Sequence, residues 1–137
     1  APAQGQAPEF APQGPGPMRV LVVDDNRDAA DSLSEVIALL GHRVECAYSG
    51  EAALTLAQAF QPELVLMDLA MPDLNGFDTR ARLARLPGME RVRTVALTGY
   101  GNESDKQRTR EAGFDRHLTK PVDLEALSSL LEALAVR

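Results

Sequence analysis

Four short strand-like runs in this sequence end in, or just before, residues that can do chemistry. Asp24-Asp25 follows Val20-Leu21-Val22-Val23, Asp68 follows Leu64-Val65-Leu66-Met67, Thr98 follows the run from Thr94 to Leu97, and Lys120 comes just after Arg116-His117-Leu118. Each has an ordinary explanation when taken alone. Aspartate is common at helix N-caps and turns. Threonine favours strands. A lysine before a proline says little. Gathered in one place, the same residues mean more. Three adjacent carboxylates repel one another unless a cation intervenes. Oxygen donors without histidine or thiolate suit Mg²⁺, which prefers octahedral geometry and keeps several waters. Mg²⁺ on carboxylates with an ammonium nearby makes a site for phosphoryl groups, because both cations neutralise the phosphoryl oxygens.

These residues meet only if the chain brings the ends of its apolar runs together. The pattern predicts that it does. Val20–Val23 is β-branched and continuously apolar, as a strand buried on both faces requires. Helical spacing follows at Ala30, Leu33, Ile37 and Leu40, with Gly41 as the closing glycine. A second strand is expected over 44–48, then a helix capped by Ser49 and running through Ala59, with Pro62 after it. Leu64–Met67 forms the third strand, and a loop containing Pro72 and Gly76 leads to a helix near 77–86. Thr94–Leu97 is the fourth strand. Asn102 or Ser104 caps a polar helix that stops at Gly113. A short fifth strand over 116–118 and an amphipathic helix over 124–135 complete the series. Five β-α units with short connections predict an α/β fold, with a parallel sheet covered by helices on both faces. Ligands of such sheets bind at the carboxyl ends of the strands, where the strand order reverses.

Composition narrows the function. The chain has 137 residues, 14 Lys+Arg against 20 Asp+Glu, and a formal net charge of −6. That balance argues against a nucleic-acid footprint, which needs clustered basic residues. A single cysteine, Cys46, excludes an internal disulfide framework and a cysteine-based zinc site. We expect it to pack as a small hydrophobe. No apolar run approaches the ~18 residues of a membrane span, and no signal-peptide pattern opens the chain. Membrane contact is therefore not expected, and the expected location is cytoplasmic. Residues 1–17 hold five of the nine prolines, three of the ten glycines and one charge, Glu9. Such a stretch cannot bury enough apolar surface to order itself. It reads as a linker or a leftover segment, with the domain occupying residues 18–137.

Residues 18–137 resemble the receiver domain of two-component response regulators. The resemblance rests on Asp24-Asp25, on Asp68 within LVLMDLAMPDLNG, on Thr98 within VALTGYG, and on Lys120-Pro121 within HLTKPVD. It implies a doubly wound (βα)5 fold with strand order 2-1-3-4-5. It implies that Asp68 accepts a phosphoryl group from the phosphohistidine of a histidine kinase or phosphotransfer protein. Mg²⁺ would be held by Asp25, Asp68 and the backbone carbonyl of Ala70, with Asp24 acting mainly through a bound water. Lys120 would pair with the aspartate and then with a phosphoryl oxygen. The Thr98 hydroxyl would bond another. The Lys120–Pro121 peptide would be cis. His117 stands where the family usually has a switch Tyr or Phe, so Thr98 and His117 would carry the conformational switch. Ala70 leaves the phosphoryl side open to water, whereas the ring of Tyr100 would cover it; the two act oppositely on phosphoryl lifetime.

LTGYG and REAGFDRHLTKPVDLEAL are similar to receivers at the C-terminal end of hybrid histidine kinases. The alternative is a stand-alone regulator. Since the sequence stops after its fifth helix, the output is expected in a partner protein or before residue 1. The expected behaviour is a single transfer and slow release rather than enzymatic turnover. A haloacid-dehalogenase-type phosphatase would need an acid two residues after Asp68, where Ala70 stands. A flavodoxin-like binder would need a Ser/Thr/Gly-rich phosphate loop where Asp24-Asp25 stands. A receiver fold kept only for protein interaction would not need both Asp68 and Lys120.

Overall fold

The structure, a computed structural model, describes residues 17–69, 76–99 and 103–135, with backbone alone for 103–105 and 135. Its elements alternate without exception: β1 Arg19–Val23, α1 Arg27–Leu39, β2 Arg43–Ala47, α2 Gly50–Phe60, β3 Leu64–Asp68, α3 Gly76–Leu83, β4 Arg93–Thr98, α4 Glu103–Glu111, β5 Arg116–Thr119 and α5 Leu124–Ala135. The strands form one parallel sheet in the order β2-β1-β3-β4-β5. This is the expected 2-1-3-4-5 arrangement. From β1 the chain goes to one side for β2 and to the other for β3. The order therefore reverses between β1 and β3, the two strands that end in aspartates.

Strand composition follows from burial on two faces. Every residue of β3 is buried, and so are the last four of β1. Alternate residues face opposite layers. Val20, Val22, Leu64, Leu66, Val95 and Leu97 pack with Ile37, Leu127 and Leu131 from α1 and α5. Leu21, Val23, Val65, Met67 and Ala96 pack with Ala53, Ala57, Leu83 and Phe114 on the other face. The edge strands β2 and β5 are shorter on apolar residues and partly exposed.

Helix ends are set by local chemistry. Asn26 caps α1 by accepting from the Ala29 N–H, and Ser49 caps α2 by accepting from the Ala52 N–H. The closing glycine at Gly41 has φ +100°. Gly41 N–H donates to Ala38 O and His42 N–H to Ile37 O, the double bond pattern of a Schellman end. Leu40 does not join the buried stripe of α1: it is the C-cap and 40% exposed. Helix α3 stops at Leu83 rather than 86. Pro87 disfavours helical backbone at Leu86, and the last residues tighten into three-residue turns, Arg85 N–H to Arg82 O and Leu86 N–H to Leu83 O. Ser104 lies inside α4 and does not cap it, while Asn102 falls outside the described residues. Cys46 is half-buried against the α1–α5 core, and its Sγ donates to Ala30 O at 3.5 Å. Burial pushes its thiol pKa up, away from the reactive thiolate.

Candidate functional site

The carboxyl edge of the sheet is fixed by backbone bonds between neighbouring strand ends. Asp24 N–H donates to Ala47 O at 3.1 Å, Leu69 N–H to Leu97 O at 3.2 Å, and Lys120 N–H to Thr98 O at 2.7 Å. These bonds hold the residues after β1, β3 and β5 at one level. The Lys120–Pro121 peptide is cis.

The expected residues converge there. Carboxylate oxygens of Asp24, Asp25 and Asp68 lie within 4.8 Å of one another. Lys120 Nζ reaches over them, 3.0 Å from Asp24 Oδ2 and 3.3 Å from Asp68 Oδ2. Asp24 is only 2% exposed and Asp68 7%, whereas Asp25 is open to solvent. Burial by itself would lower the Lys120 pKa. The hydrogen bond that Lys120 donates to Asp24 and the charge of Asp68 outweigh that, and the net shift is upward. Lys120 is therefore a fixed cation at any physiological pH.

Three carboxylates against one ammonium leave two negative charges. A divalent ion balances them. All three side-chain donors are oxygens, with no histidine or thiolate in the cluster. This donor set fits Mg²⁺.

Thr98 ends β4 and is 7% exposed. In the ladder it stands opposite Thr119, and Ala96 opposite His117. Thr98 and His117 therefore share one face of the sheet, two residues apart in register. His117 is half-buried. Ala70 and Tyr100 lie outside the described residues.

Two residues of the site were not singled out by spacing. Asn26, the α1 cap, also gives its N–H to Asp24 Oδ1 at 3.0 Å. One short turn thus starts the helix and orients a carboxylate. A polar residue just before a helical period was the available signal. Gly76 is the other. A Cβ there would lie 2.7 Å from the Asp68 carbonyl oxygen, so the loop returns to the strand end only because this residue has no side chain. It closes the LVLMDLAMPDLNG motif, but the sequence does not show the backbone it faces.

Comparison with known proteins agrees with this geometry. Residues 20–132 match the response regulator receiver domain. The chain belongs to that family. A 14.6 kDa protein of Leptolyngbya boryana is 38% identical over 115 residues, covering 84% of this chain and 88% of that protein. Virulence sensor protein BvgS of Bordetella bronchiseptica is 37% identical over 125 residues, 88% of this chain but 10% of that much longer protein. Among solved structures, the receiver domain of sensor histidine kinase PA1611 from Pseudomonas aeruginosa superposes with a TM-score of 0.78 at 25% identity, covering 88% of this chain and 98% of that one. Its active-site cleft holds a coordinated magnesium ion. No helix among the described residues of the receiver is long and apolar enough to cross a membrane.

Proposed function

We propose that Asp68 is the phosphoacceptor of this receiver and that the phosphoryl group comes from a phosphohistidine of a histidine kinase or phosphotransfer domain. One observation carries this: three carboxylates gathered within 4.8 Å under a lysine ammonium that contacts two of them. An Asp68 oxygen attacks phosphorus, the P–N bond to the donor imidazole breaks, and its electron pair stays on the imidazole nitrogen. The product is an acyl phosphate on Asp68. Lys120, already 3.3 Å from Asp68, exchanges its carboxylate contact for a phosphoryl oxygen. Thr98 donates its hydroxyl to a second oxygen. Asp25, Asp68 and the Ala70 carbonyl would hold Mg²⁺, with Asp24 acting mainly through a bound water; the ion when bound supplies positive charge for the remaining phosphoryl oxygens.

A donor protein needs surface to bury. A cavity of about 520 Å³, walled mainly by apolar residues of α1 and α5 such as Leu33, Val36 and Leu127, opens beside Asp24 and Lys120. This favours a protein donor over free small phosphates. His117 and Thr98, on one face, form the switch pair. The likeness to the PA1611 receiver and to part of BvgS supports an origin in a hybrid sensor kinase; the Leptolyngbya relative, nearly matched in length, keeps the stand-alone regulator as the second reading.

Intact mass after incubation with acetyl phosphate and Mg²⁺ tests the assignment. One added phosphoryl is expected in the wild type and none in Asp68→Asn. Equal labelling of the variant would place the acceptor elsewhere.

A further inference from the structure

The first turn of α3 touches the site at one end and the α4–β5 corner at the other. Gly76 lies on the Asp68 peptide, where a Cβ would come 2.7 Å from the Asp68 carbonyl oxygen and 2.9 Å from Leu69 Cα. Its N–H donates to Leu69 O at 3.3 Å. The next residue, Phe77, meets Phe114 edge to face, with centroids 6.0 Å apart and planes at 83°. The Arg108 guanidinium of α4 sits 5.3 Å from the Phe77 ring centroid. Arg80 donates from Nε to Thr94 Oγ1 at 3.4 Å. Its guanidinium fills the space beside Gly113, where a Cβ would lie 2.6 Å from Cζ. Phe114 is 4% exposed in a core shared with Met67, Leu83 and Ala96. Such packing leaves no slack to absorb a displacement.

We propose that this turn is a second mechanical route from Asp68 to the α4–β5 corner, running through Gly76, Phe77, Arg108 and Phe114 beside the Thr98–His117 pair. The proposal rests on Asp68 being the phosphoacceptor. A shift of the Asp68–Leu69 peptide on loading must carry Gly76 with it, because the two backbones are already in contact. Phe77 then moves against Phe114 inside the core and against Arg108 at the surface. The Thr98–His117 pair lies in the strands, so the two routes share only their origin and their end. Removing one leaves the other, and the coupling is read as the difference.

Amide NMR of the full chain, with and without beryllofluoride and Mg²⁺, separates the routes. Wild type is expected to show shift changes at Asp68, at Thr98 and across Arg108–Phe114. Phe77→Leu should keep the first two and lose part of the third. Arg108→Gln, a surface change that spares folding, should reduce it in the same direction, and Phe77→Tyr should restore it. Thr98→Ala should leave part of the corner response, and the Phe77→Leu/Thr98→Ala double variant none. A full corner response in Phe77→Leu, or its complete loss in Thr98→Ala alone, overturns the route while Asp68 still responds. No shift change anywhere in the wild type overturns the phosphoacceptor reading first, and the route with it.

Discussion

Lys120 and Asp24 show how much of this site depends on single atoms. Asp24 spends one oxygen on the Asn26 N–H and the other on Lys120 Nζ. Asp25 has solvent on one side and the cluster on the other, so it is the carboxylate an entering ion meets first. Removing it deletes an anionic donor without opening a buried hole. Asp25→Ala is expected to weaken Mg²⁺ binding at least tenfold, about 1.4 kcal/mol, with little change in melting temperature. A metal titration followed by calorimetry checks both; near-native affinity would take Asp25 out of the ion site. The residue types themselves were legible in the sequence, because acidic residues ending apolar runs stand out. Asn26 and Gly76 were not, since their roles are contacts with Asp24 and with the Asp68 backbone rather than chemistry of their own.

At the scale of elements, two features of the α1–β2 turn set measurable energies. Gly41 has φ +100° and open space around its Cα, so a side chain there meets backbone strain and no neighbour. Gly41→Ala is expected to cost about 1–2 kcal/mol in urea unfolding and to leave phosphorylation unchanged. Next to it, His42 Nδ1 accepts the Met18 N–H at 3.0 Å, tying the turn to the start of β1. Only the neutral imidazole can accept. Burial lowers the His42 pKa below its ordinary 6.5. The unfolded chain therefore takes up this proton first, and the contribution, complete above that pH, is lost as pH falls below it. Melting curves of wild type and His42→Gln, which keeps an acceptor, should diverge on acidification, with wild type losing more. Curves that stay parallel would show that the bond carries no proton linkage. The periodicity foresaw these elements and missed some limits. Leu40 leaves the apolar stripe because the Schellman turn has already begun, and α3 ends at Leu83 because Pro87 acts backwards on the residues before it.

For the whole molecule, the described residues contain both core layers and the cluster of three carboxylates with Lys120. The buried ones run from Met18 to Leu134. A chain trimmed to start at Pro17 is expected to unfold at the same temperature as the full chain and to accept a phosphoryl group equally well. Differential scanning calorimetry and the mass measurement check this, and a lower melting temperature would mean that residues 1–16 contribute to the fold. The sequence by itself determined the alternation of strands and helices, since burial on two faces demands apolar runs and burial on one demands helical spacing. It determined the residue types of the site as well. Only the tertiary structure decided which strands are neighbours and how closely Asp24, Asp68 and Lys120 approach. Strand order and register are set by contacts between distant segments, such as Lys120 N–H on Thr98 O and Asp24 N–H on Ala47 O, and local periodicity contains no record of them. Gly76 against the Asp68 carbonyl belongs to the same class. Its constraint comes from the backbone it faces, and that backbone is eight residues back along the chain.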